Sequence, residues 1–130
     1  AVLHLGADAF VRECYHPKAW PHRTCLLDAQ GQEKTGRTAI WHLAGPLCFS
    51  GDFPVWRARL PRVAPGDLVV IRDVGAYALA MWSRYNSRQM PRVLGRRHGR
   101  FTVLREGETV ADVLRFWRGG SVEVAGTADR

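Results

Sequence analysis

Short runs rich in apolar, β-branched and aromatic residues recur along the chain, at residues 1–5, 23–27, 38–43, 55–60, 67–72 and 76–81. Each has the length of a strand and is cut by turn signals, which predicts a mainly β protein. Asp28-Ala29-Gln30-Gly31 and Ala64-Pro65-Gly66-Asp67 read as turns, because Pro presets one backbone angle while Gly and Asp tolerate the conformations a reversal needs. The second would launch a buried strand, Leu68-Val69-Val70-Ile71. One helix is predicted near the end. Thr109 can cap it, Asp112 lies three residues on, and Val110, Val113, Leu114 and Trp117 fall on one face before Gly119-Gly120 stops it. Helices do not alternate with strands as a parallel sheet would require. The expected fold is therefore a Greek-key β-sandwich or barrel with one short helix near the C-terminus. Residues 1–120 read as one domain, with 121–130 a frayed tail or edge strand.

Composition adds limits. The chain has 130 residues, 46% hydrophobic and 24% charged, which suits one folded globular domain. No apolar run approaches the roughly 20 residues of a membrane span, so no membrane association is expected. Cys14, Cys25 and Cys48 are an odd number without a CxxC pair. Reduced thiols in a cytoplasmic or organelle-stromal setting fit that pattern better than a disulfide framework. The net charge of +7 comes mainly from arginine, since Lys18 and Lys34 are the only lysines. Such a balance suits nucleic acid, acidic ligands or solubility equally and does not choose among them. The opening strand without a methionine suggests a truncated chain.

Chemistry enters between residues 44 and 92. Gly45-Pro46-Leu47-Cys48-Phe49-Ser50-Gly51-Asp52 resembles a GPxCxSxD motif, Pro65-Gly66-Asp67 a PGD turn, and Gly75-Ala76-Tyr77 with Tyr85-Asn86-Ser87-Arg88 the GAY and YNSR elements. In this order the blocks resemble the C-terminal β-domain of the fold-type III pyridoxal-phosphate-dependent decarboxylases, the diaminopimelate/ornithine/arginine decarboxylase family, whose β-domain is like that of alanine racemase. The YNSR form leans toward diaminopimelate decarboxylase, an enzyme of lysine biosynthesis. Upstream, residues 6–12 are similar to the segment before the family's RPxLY motif, although Glu13-Cys14-Tyr15 departs from it in a register one residue shorter.

The resemblance implies a homodimer in which a TIM barrel holds pyridoxal phosphate on a lysine and the neighbouring β-domain completes the site. The barrel is absent from this chain, which lacks the eight-fold strand-helix repeat and a plausible lysine context for the cofactor. By itself the chain is expected to be inactive. Cys48 corresponds to the thiol that protonates the reacting carbon; the bland alternative is a small apolar filler. Tyr77 corresponds to the tyrosine that binds the cofactor phosphate, its alternative being a core tyrosine. Asp52 matches an acid that helps hold a distal amine, and it serves equally well as a loop brace. Arg12 and Tyr15 correspond to substrate-side residues of RPxLY. Asn86 and Arg88 would shape the site or a dimer edge.

Phe49 stands where diaminopimelate decarboxylases carry glutamate and ornithine-type enzymes aspartate. It cannot pair with a distal ammonium. The substrate is thus a small amino acid whose identity Phe49 leaves open. The competing reading is a non-catalytic dimerisation or regulatory module derived from the family.

Two further constellations stand outside the resemblance. Cys14, His16, His22 and Cys25 could surround a metal, but their spacing matches no common finger, and no metal is expected. Arg96-Arg97-His98-Gly99-Arg100 reads as a solvated basic loop, and Trp82, Tyr85 and Phe101 as strand residues, so nucleic-acid binding is not expected.

Overall fold

The computed structural model describes residues 1–16, 19 and 21–119. The chain divides into two compact units, Ala1–Asn86 and Ser87–Arg130. In the first, helix α1 (Val11–Tyr15) precedes four strands: β1 (Thr24–Leu27), β2 (Ala39–Leu43), β3 (Val55–Leu60) and β4 (Leu68–Ile71). All four lie where the apolar runs predict them. They form two antiparallel pairs, β1 with β4 and β2 with β3.

These pairs share a core. Leu26, Leu43, Ala58 and Leu60 are buried together, with Trp41, Val55 and Val69 packed against them. In β3 the side chains alternate from Ala58 onward, Ala58 and Leu60 inward and Arg59 outward, as a half-buried strand requires. Before that the register slips: Trp41 faces Ala58 whereas Leu43 faces Val55. The additional β3 residue is accommodated at Arg57, which takes φ of 57°. This bulge leaves Trp56 outside, stacked on Phe53 with ring centroids 4.0 Å apart.

Two predicted strands of this unit are not regular strands. Residues 1–5 are tied to β2's end by a parallel bridge between Val2 and Ala44 and by the Leu3 N–H donating to the Ala44 carbonyl at 2.7 Å. Residues 76–81 instead turn: Tyr77 takes φ of 58°, and Leu79–Met81 forms a 3-10 turn. A left-handed residue cannot continue a strand, so apolar content there reflects a packed turn.

The second unit holds a hairpin absent from the sequence-based expectation, β5 (Val93–Arg97) and β6 (Arg100–Arg105), followed by α2 (Val110–Arg118). The cluster read as a basic loop is the tip of this hairpin. His98 and Gly99 take φ of 49° and 76°, a two-residue reversal with both central residues left-handed. Phe101 is a strand residue as expected, whereas Trp82 and Tyr85 are not: one follows the 3-10 turn and the other opens a tight turn, Tyr85–Ser87, in which Asn86 and Ser87 are left-handed. The expected helix is present with its capping box: Thr109 accepts from the Asp112 N–H, and Asp112 accepts from the Thr109 N–H. The strand-rich content and the short C-terminal helix match the expectation at that level. The tail 121–130 lies outside the described residues.

Candidate functional site

The loop between β2 and β3 is built around one buried carboxylate. The Gly45 N–H donates to the Asp52 carbonyl at 2.8 Å and closes the loop. The Asp52 side chain, in a residue only 3% exposed, then holds it from inside. One oxygen accepts from the Leu47 N–H at 2.6 Å, and the other from the Ala7 N–H at 2.7 Å, joining the loop to the N-terminal segment. Glycine is required on both sides. A Cβ on Gly6 or Gly45 would lie 2.2 or 2.3 Å from the carboxylate oxygens. The Asp52 carboxylate thus braces the loop from inside.

Held this way, the loop presents its middle outward. Leu47 is buried, while Cys48 is exposed and Phe49 is 41% exposed. The turn carrying Tyr85 and Asn86 meets it. The Asn86 Nδ2 amide donates to the Cys48 sulfur at 3.4 Å, and the Tyr85 hydroxyl lies 3.8 Å from the same atom. These contacts, Asn86 first and Tyr85 second, hold the Cys48 thiol below its ordinary pKa, because both offer hydrogen to the thiolate. The same contact pushes the Tyr85 hydroxyl up, since its ionisation would place a second negative charge beside the sulfur. Phe49 and Tyr85 meet ring to ring at 5.8 Å, so an aromatic wall flanks the thiol.

Asp8, fully buried, supports this turn. Its carbonyl accepts from the Ser83 N–H at 3.0 Å, and its carboxylate accepts from the Gly6 N–H at 2.8 Å. Sequence reasoning missed Asp8. The signal was present, since an aspartate two residues after a glycine commonly folds back onto backbone N–H groups.

Arg12 and Tyr77 form a second pair. The guanidinium lies 4.6 Å from the Tyr77 ring centroid, within cation–π range. Tyr77 is 57% exposed. Tyr15, one turn after Arg12 on α1, is also exposed and meets His16 edge-on.

The cysteine–histidine constellation does not assemble. His22 sits between the Glu13 carboxylate, which contacts its Nε2, and the Arg72 carbonyl, 2.8 Å from its Nδ1. Cys25 accepts from the Arg72 guanidinium at 3.5 Å. Burial pushes the Cys14 thiol up to about 11, with Asp52, Glu13 and Asp8 adding negative charge. Among the described residues no group of three or more His, Cys, Asp and Glu is placed to hold a metal, and no helix is long and apolar enough to cross a membrane.

A cofactor phosphate would need a donor and positive charge in reach, and an exposed tyrosine with a guanidinium over its ring brings both residue types together. A distal ammonium would need an acid on the Cys48 loop. Phe49 offers none, and Asp52, the acid that is there, is committed to backbone N–H groups.

Comparison with known proteins places this geometry in context. Residues 2–75 match the pyridoxal-dependent decarboxylase C-terminal sheet domain. Diaminopimelate decarboxylase of Streptomyces coelicolor is 42% identical over 102 residues, covering 72% of this chain and 23% of the relative. The Helicobacter pylori enzyme is 38% identical over 116 residues, covering 88% and 27%. A crystal structure of diaminopimelate decarboxylase superposes with a TM-score of 0.80 at 29% identity, over 89% of this chain and 29% of that one. The H. pylori enzyme complexed with L-lysine gives 0.76 at 27% identity, over 90% and 27%. The chain thus spans about a quarter of the length of the relatives it matches. With a family model covering more than half of its residues, the chain belongs to the pyridoxal-dependent decarboxylases, to their C-terminal sheet domain.

Proposed function

We propose that this chain is the C-terminal β-domain, residues 1–120, of a diaminopimelate-decarboxylase-like enzyme that releases carbon dioxide from a small amino acid. The observation that carries the reading is the Cys48 loop: a thiol presented outward, braced from beneath by Asp52 and eased toward ionisation by Asn86 and Tyr85, in a member of this family. In the complete enzyme the β-domain forms a Greek-key sandwich and works in a cytoplasmic homodimer, where it meets the cofactor-bearing barrel of the neighbouring subunit. By itself, without a barrel, it is inactive.

Pyridoxal phosphate, when bound to the complete enzyme, supplies the electron sink that lets the α-carboxylate leave. The residues of this chain do the rest of their share around it. Tyr77 donates its hydroxyl to the phosphate, and Arg12 adds positive charge beside it. Cys48 delivers a proton to the α-carbon once carbon dioxide has departed. Phe49, and Tyr15 from α1, line the substrate side. Phe49 supplies no carboxylate for a distal ammonium, so this position does not select a diamino acid by charge.

The test is decarboxylation by the full-length polypeptide that carries this domain, loaded with pyridoxal phosphate. Tyr77→Phe should weaken cofactor retention at least several-fold, read by the absorbance of bound cofactor after gel filtration. Retention equal to wild type would remove Tyr77 from the phosphate site.

A further inference from the structure

Cys48 is exposed on a loop, a position in which a thiol ordinarily meets only water. Here it meets two side chains from a turn 37 and 38 residues away. That turn is unusual. Asn86 and Ser87 are consecutive non-glycine residues with φ of 57° and 55°. Asn is among the few side chains that tolerate this region, and left-handed non-glycine residues concentrate at functional sites. The turn is also anchored beforehand, through the Ser83 N–H on the buried Asp8 segment. The same Asp8 side chain and the Asp52 carboxylate fasten neighbouring N–H groups, those of Gly6 and Ala7. The Asp52 carboxylate thus fixes the loop that carries the sulfur, and the main-chain carbonyl of Asp8 holds the segment leading into the turn that approaches it.

We propose that Asn86 and Tyr85 are positioning residues for Cys48, holding its sulfur between an amide N–H and a phenol so that the thiol gives up and regains its proton at one place. The inference rests on the decarboxylase reading for its purpose. When the S–H proton passes to the substrate α-carbon, the bonding pair stays on sulfur, and the thiolate is received by the Asn86 N–H and the Tyr85 O–H. Tyr85 keeps its own proton throughout, because the adjacent sulfur ionises first. The Phe49 ring, packed on Tyr85, fixes the angle at which the phenol meets the sulfur.

The experiment is alkylation of the 130-residue chain with iodoacetamide from pH 6 to 10, with the Cys48 peptide followed by mass spectrometry. Wild type is compared with Asn86→Asp, Asn86→Gly and Tyr85→Phe. Asp preserves the shape and tolerates the left-handed backbone, Gly preserves the backbone alone, and Phe preserves the ring contact with Phe49. In all three the Cys48 inflection should move to higher pH, most in Asn86→Asp, where a carboxylate replaces the donor. At a fixed pH below the inflection, raising the inflection by about one pH unit slows alkylation about tenfold. Near-ultraviolet circular dichroism identifies any variant that fails to fold, and the remaining variants then decide. An inflection unchanged in the folded variants overturns the proposal, and a change confined to one residue's variants overturns the paired role. The titration uses neither substrate nor cofactor. Its failure would leave the decarboxylase reading standing, and failure of that reading would leave the titration standing.

Discussion

A buried carboxylate that accepts two backbone N–H groups is worth more to a loop than its charge suggests. If Asp52 is truncated, the N–H groups of Ala7 and Leu47 lose their partner in a place that water does not reach. Each stranded donor costs about 1–3 kcal/mol. Asp52→Ala should therefore lower stability by at least about 2 kcal/mol, measured by urea denaturation, and should expose the Cys48 loop to proteolysis. A midpoint equal to wild type would remove the brace. Two of the thiols also separate by environment. Burial keeps Cys14 protonated up to about 11, while Cys48 ionises below its ordinary range. At pH 8 a limiting alkylating agent should label Cys48 before Cys14. The reverse order would contradict both environments.

A third residue-scale expectation concerns acid. Lys34 and the Ala64 N–H both bind the Asp67 carboxylate and hold its pKa down. A carboxyl depressed in the folded state stabilises the protein above its unfolded pKa, and the contribution is lost as pH falls through the folded value. Stability should thus decline below about pH 4, and Lys34→Met should flatten part of that slope. Urea midpoints between pH 5 and 3 measure it; identical slopes would show that the pair is not felt.

At the scale of elements, α2 offers a clean test of local logic. Its capping box satisfies N–H groups at the helix start, so Thr109→Ala should cost about 1 kcal/mol, seen as reduced helicity or a lower urea midpoint; no change would mean the cap is dispensable. This helix was legible in the sequence because its cap, apolar face and glycine stop agree. Strands β1 to β4 were legible for a similar reason, since apolar runs between strong turns leave few alternatives. The β5–β6 hairpin was not. Every residue of β6 is exposed, so no inward–outward alternation marks it, and its turn is His-Gly rather than the commoner Asn-Gly. Residues 76–81 failed in the opposite sense: they carry the apolar content of a strand, but Tyr77 is left-handed. The candidate site divides the same way. Cys48, Phe49 and Asp52 were readable from one contiguous motif, whereas Asp8, and the contacts that bring Tyr85 and Asn86 to the sulfur, depend on residues distant in sequence.

For the whole molecule, belonging to this family while spanning about a quarter of its relatives' length has a physical consequence. Tyr15, Trp56, Tyr77 and Tyr85 are all exposed large side chains, which the rest of a longer polypeptide or a second copy could cover. The isolated chain should self-associate, and light scattering coupled to gel filtration should report species larger than a monomer. A monodisperse monomer would mean that the exposed aromatics need no cover.

The central claim is that Cys48 delivers a proton within a pyridoxal-dependent decarboxylase. The most direct measurement is carbon dioxide release by the full-length polypeptide, loaded with pyridoxal phosphate, from diaminopimelate, lysine, ornithine and arginine, comparing wild type with Cys48→Ala. The expected result is release from at least one of these amino acids, with kcat reduced at least about 100-fold in the variant. Wild-type turnover in Cys48→Ala would contradict it.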